Sequence, residues 1–231
     1  MDKWFFDLNA GCELIADHGA DNGLSSMFCM ALPLLRSLVW MIYRLELLFA
    51  FGLPLVLLVW AAIKQEPALV RLLNLYWKVG SLLGITVLLM AAGRPLAFIT
   101  AFASQLLILV SLWFWVDLNE ELADLPPFRP LPFTMRLWRW ALSLLCVLGL
   151  VLTGAALACA WGQGALCAPW LEAPSHFQGL LAVVLGFFFG GQWTPAVSGF
   201  LGYLGLAAYA VGLIQWLLVR LPRQGRLAGG F

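Results

Sequence analysis

Apolar and polar positions alternate along this chain in long blocks: uncharged runs are separated by short charged segments. The sharpest boundary is residues 111–127, SLWFWVDLNEELADLPP. There, a run with no charged side chain from 96 to 116 meets Asp117, Glu120, Glu121 and Asp124 before Pro126 and Pro127 end the helix. A hydrocarbon layer about 30 Å thick takes about 20 residues of helix. That ruler predicts five transmembrane helices, near 45–63, 76–92, 96–116, 138–160 and 198–219. The expected fold class is an all-α polytopic transmembrane helix bundle, with further interfacial or re-entrant helices.

The segments between these spans carry their own signals. In residues 35–44, Arg36 and Arg44 stand among Trp40 and Tyr43, a pattern expected of a helix in the headgroup region. Residues 64–78 place Pro67 at a helix start and Arg71, Asn74 and Lys78 on one stripe, so this piece should slide along the interface and feed the second span. Gly93-Arg94-Pro95 predicts a tight turn. The four prolines of LPPFRPLP, residues 125–132, predict an extended connector. Residues 178–189 form an apolar piece only twelve long, about 18 Å at 1.5 Å per residue, and are expected to be re-entrant or interfacial. The domain organisation is then an acidic extension over 1–34, a membrane domain over 35–226 and a tail over 227–231.

Small residues predict where helices approach. Gly80 and Gly84 form a GxxxG pair, better explained by packing within the chain than by a dimer seam. Ser198, Gly202, Gly205, Tyr209 and Gly212 recur at steps of four and three and make one stripe on the last span. Gln105, near the middle of the third span, should face another helix, because an amide without a partner in hydrocarbon is costly.

Composition agrees with a membrane setting: 63% apolar and 11% charged residues, twelve tryptophans and a mean hydropathy of +0.92. Soluble domains hold about 45–50% apolar residues even with glycine counted. A formal charge of +1, with Lys and Arg spread along the chain, excludes a basic nucleic-acid surface. The first 26 residues carry five acids against Lys3 and do not read as a secretory signal, and Met27 and Met30 are alternative starts. With five spans, Lys64, Arg71, Lys78, Arg129, Arg136, Arg139, Arg220, Arg223 and Arg226 fall on one side and Lys3, Arg36, Arg44 and Arg94 on the other. The richer side, with the carboxyl terminus, is expected to be cytoplasmic.

Three groups of residues could carry chemistry. Asp117, Glu120 and Glu121 share a helix face, where mutual repulsion invites a proton or a cation. Arg71, Lys78, Arg136 and Arg139 fall on the same side, so an ion-paired structural cluster is the favoured reading, with Asp117 the carboxylate whose loss should matter most. The histidines, His18 and His176, are in expected loops, which argues against haem held by imidazole; no cofactor or metal is indicated, although pigment or lipid binding through other groups stays open. No ionisable residue is expected near the middle of a span, which weighs against ion-coupled transport. Cys146 packs as a small apolar residue, whereas the spacing of Cys159 and Cys167 permits a disulfide without demanding one, Cys12 and Cys29 being competitors.

LRSLVWMIYRLELLF, LPLVLLVWA, RLLNLYWKVGSLLGITVLLM, SLWFWVDLNEEL and LVRLPRQGR together resemble an uncharacterised family of cyanobacterial integral membrane proteins. The resemblance spans 35–226, with SLWFWVDLNEEL its most specific part, and implies a thylakoid or plasma membrane but no activity. Residues 178–189 are more apolar than that family pattern. Three functions are expected candidates. The first is a non-enzymatic structural or assembly factor with the bilayer and larger membrane complexes, in this setting the photosynthetic ones, as partners. The second is a small-solute permease or channel. The third is a membrane enzyme acting on lipid or pigment through Asp117, Glu120 and Glu121.

Overall fold

A computed structural model of the protein describes residues 23–126, 128–162, 167–189 and 193–220. The acidic head up to residue 22, Cys12 and His18 with it, and the tail from residue 221 lie outside the described residues. The chain divides into two compact units, residues 1–41 and 42–231. Helix α1, Gly23–Glu46, includes the end of the first unit, and every later element belongs to the second.

The described residues are helical, with no strand among them. After α1 come a π-helical turn, Leu47–Gly52, and α2, Leu53–Lys64. Then follow α3, Pro67–Ala91; α4, Leu96–Phe114; α5, Val116–Asp124; α6, Pro130–Ala156 with a 3-10 turn Leu157–Ala160; α7, Ala168–Phe189; and α8, Pro195–Gln215. Five stretches are long and apolar enough to cross a membrane: Pro33–Ile63, Pro67–Ala91, Leu96–Phe114, Pro130–Ala160 and Pro195–Val219. The protein is an integral membrane helix bundle.

Several boundaries move from their expected places, each for a physical reason. Residues 35–44 are helical up to the first span, not a separate piece, and Pro33–Ile63 is a crossing-length stretch of 31 residues. Residues 67–78 are not a helix separate from the second span. They form the first half of α3, burying Leu69, Leu72, Leu73, Leu75 and Tyr76 while Asn74 and Lys78 stay exposed. The third span ends at Phe114, because Trp115 turns extended (φ −84°, ψ 108°), and the acids sit on α5 as a helix of its own. The connector is shorter than the prolines suggested. Pro130 and Pro132 occupy the first turn of α6, where proline loses no helical hydrogen bond. The apolar piece 178–189 is the second half of α7, which starts ten residues earlier.

Helix α3 is the hub of the bundle: α2, α4, α5, α7 and α8 all pack on it. Leu57, Leu73, Tyr76, Ile108, Leu112, Met135, Trp138 and Leu142 form the centre of the core, all essentially inaccessible. Gly93, at φ +65°, makes the turn between α3 and α4. The stripe on α8 meets α3: a Cβ at Gly202 would come within 2.8 Å of Leu89, one at Gly205 within 3.2 Å of Ile85 and one at Gly199 within 3.2 Å of Ala92. Ser198 is fully buried, whereas Gly212 has nothing near it, so the packing stripe stops before the end of the helix. A Cβ at Gly84 would meet Phe51 of the π-turn and one at Gly80 would meet Tyr76 of its own helix, both neighbours within the chain.

Candidate functional site

The π-turn is caused by one residue. Pro54 has no N–H, so neither the Ala50 carbonyl, four residues back, nor the Phe49 carbonyl, five back, can receive a bond from it. The N–H of Leu53 donates to the Leu48 carbonyl in the π pattern and passes Phe49 by. Two side chains from other helices supply the missing donors. The Tyr76 hydroxyl of α3 donates to the Ala50 carbonyl at 2.6 Å, and the Trp138 indole of α6 donates to the Phe49 carbonyl at 2.8 Å. Their rings meet edge to face at 5.1 Å. An irregular backbone in an apolar core is tolerated because each freed carbonyl is answered.

Immediately before this turn stands Glu46, an ionisable residue well inside the Pro33–Ile63 stretch. This corrects the expectation that no such residue lies near the middle of a span. Gln105 of α4 donates from Nε2 to Glu46 Oε1 at 2.7 Å. Gln105 is 4% exposed, and its amide lies against Gly149 of α6, where any Cβ would overlap it. Its Oε1 is buried and has no hydrogen-bond partner. Three helices thus converge on a half-buried carboxyl and a buried amide.

The second group is at the exit from the membrane, where α4, α5 and α6 end or begin. The break at Trp115 leaves the last carbonyls of α4 without helical donors. Arg139 donates to the Leu112 carbonyl and, at 2.6 Å, to Asn119 Oδ1, while Asn119 Nδ2 donates to the Trp113 carbonyl at 3.1 Å. One turn earlier on α6, Arg136 donates to the carbonyls of Leu122, Ala123 and Leu125 and so caps α5. Two arginines therefore close two successive helix C-termini, where the dipole favours positive charge. Among the described residues, these arginines donate to carbonyls and to Asn119, where pairing with the acids was expected.

Of the acids, Glu121 forms a two-oxygen bond with Arg71, at 2.9 and 3.1 Å. Glu120 and Asp124 are exposed; Asp117 is half-buried; Leu118 and Leu122 turn α5 onto the core. Lys78 is on the exposed face of α3. Arg139 lies over the Trp113 ring at 4.5 Å, and Trp113 meets Trp140 at 5.0 Å. Together with Asn119, Leu122, Ala123 and Arg136 they line a cleft of about 260 Å³. Among the described residues no group of His, Cys, Asp and Glu is arranged to hold a metal. Cys159 and Cys167 are joined as a disulfide, with Cα atoms 5.8 Å apart, and Cys146 is a buried free thiol.

Fold and polar interior together define a helical integral membrane protein. Residues 36–229 match a family described as a protein of unknown function, DUF3177, and the chain belongs to that family. No curated protein and no solved structure matches the chain.

Proposed function

We propose that the protein is a non-enzymatic assembly or interaction factor that docks on a larger membrane complex through the rim at the ends of α4, α5 and α6. The observation that carries this reading is the cleft between Trp113, Trp140, Arg136 and Arg139. Its arginines are already fixed on backbone carbonyls, and its indoles are stiff, so a partner meets a surface that loses little freedom on binding. Trp140 is 61% exposed, and Glu120, Asp124 and Lys78 add a charged margin. The partner that suits it is a membrane protein offering a carboxylate or free carbonyls at the same depth. The resemblance in the sequence supports photosynthetic complexes of a cyanobacterial thylakoid or plasma membrane, and the bias of Lys and Arg supports a cytoplasmic rim and carboxyl terminus.

A photo-crosslinking amino acid in place of Trp140, activated in intact membranes, tests this reading. A discrete adduct with a subunit of a larger complex is expected. Crosslinks to lipid alone would end it. The midplane carboxyl favours a second reading, a small-solute permease or channel, because polar groups inside a membrane commonly line a solute path. Flux of ions or small polar solutes into liposomes holding the purified protein separates the two.

A further inference from the structure

We propose that Glu46 and Gln105 form a proton-binding site in the interior of the membrane. The site is independent of the docking reading, and it is the same polar pair from which the permease reading is argued. Gln105 stands nine residues from Leu96 and nine from Phe114, at the centre of α4. At 1.5 Å per residue that is about 13 Å from either end. Gln105 is therefore as far from either end of its helix as this crossing allows.

The donors and acceptors of the pair do not balance when Glu46 is a carboxylate. A carboxylate only accepts, and an amide brings two N–H donors on its nitrogen and an oxygen that only accepts. Gln105 Nε2 serves Glu46 Oε1, which leaves Gln105 Oε1 buried without a donor. Turning the amide over does not help, since it would set the amide oxygen against the carboxylate. Gly149 prevents retreat, because the amide is already seated where a Cβ would be. The Gln105 amide oxygen lacks a donor, and a carboxylate has no hydrogen to serve it. The acid form of Glu46 supplies one: its O–H is the donor that Gln105 Oε1 needs, and protonation removes the charge from the hydrocarbon.

The surroundings favour a proton over a metal ion. Tyr43 on its own helix, Tyr76 on α3 and Cys146 on α6 interact electrostatically with Glu46, and none of the three carries positive charge. Among the described residues Glu46 has no ion pair. A hard metal ion such as calcium takes about six to eight oxygens. The nearest freed backbone carbonyls, Phe49 and Ala50, are already occupied by Trp138 and Tyr76. One proton, shared between one carboxyl and one amide, is the ligand this site can satisfy.

A hydrophobic carbodiimide tests this in membranes containing the intact protein. The acid proton moves to a carbodiimide nitrogen, the carboxyl oxygen adds to the central carbon, and the adduct rearranges to an N-acylurea that adds the whole reagent to the residue. Peptide mass analysis should find it on Glu46, decreasing as pH rises, absent in Glu46→Gln and indifferent to sodium at constant pH. Infrared spectroscopy, which needs no reagent access, should show a carboxylic-acid carbonyl band in the wild type that is lost in Glu46→Gln. Protection from labelling by sodium at constant pH would make this a metal-ion site and overturn the proposal. So would infrared spectra of wild type and Glu46→Gln that show no acid band to lose at any pH.

Discussion

The interior around Glu46 and the rim around Arg71 hold polar groups under opposite rules. At the rim, Arg71 and Glu121 meet with side chains 35% and 43% exposed, so water can replace either partner. In the interior, three donors around the π-turn and Glu46 each meet an acceptor on another helix, away from bulk water. Tyr76 answers Ala50, Trp138 answers Phe49, and Gln105 answers Glu46. Interior contacts are consequently few and individually expensive to lose, whereas rim contacts are tolerant. The arginines of α6 stand between the two cases: Arg139 is 5% exposed and ends a helix, yet it lines the cleft that opens outward.

Substitutions should rank by this rule. The largest effect is expected from Gly149→Leu, which drives a side chain into the Gln105 amide from an adjacent helix. Overpacking of this kind costs about 1–3 kcal/mol or more. Folded protein recovered from membranes should fall steeply, and wild-type recovery with an unchanged melting temperature would contradict the packing. Next comes Tyr76→Phe, which keeps the ring and strips the donor from the Ala50 carbonyl. A buried acceptor left alone costs about 1–3 kcal/mol, to be read as a lower midpoint of thermal unfolding in detergent. Gly202→Ala should cost about 1 kcal/mol, because the Leu89 side chain 2.8 Å away can yield only partly. Arg71→Ala should be the mildest, at most about 1 kcal/mol and smaller still at high salt. A loss as large as that of Tyr76→Phe would show that water does not screen the rim.

The architecture was largely legible from hydropathy, since residues that can cross a bilayer must be long, helical and apolar. Its irregularities were not. Arg36 and Arg44 interrupt the first apolar run, which moved the expected span to residue 45 and set Glu46 at its margin instead of well inside a stretch of 31 residues. A signal was present in Pro54, because a proline deep in an apolar helix frees carbonyls, and Tyr76 and Trp138 are the donors that answer them. The break at Trp115 carries no proline or glycine to announce it. It is held by Arg139 and Asn119, whose approach to the end of α4 depends on tertiary packing. For Gln105, by contrast, one consideration, the cost of a lone amide in hydrocarbon, was enough to direct attention to its neighbours.

The polar centre depends on Gln105 being seated between Glu46 and Gly149, and a double-mutant cycle tests this most directly. Thermal unfolding would be measured for wild type, Gly149→Ala, Gln105→Ala and the double variant. If the Gly149 site is constrained by the Gln105 amide, Gly149→Ala should destabilise the wild type. In the Gln105→Ala background most of that cost should disappear, a coupling of about 1 kcal/mol or more. Costs that add to within about 0.5 kcal/mol would place the two residues out of contact and contradict the polar centre.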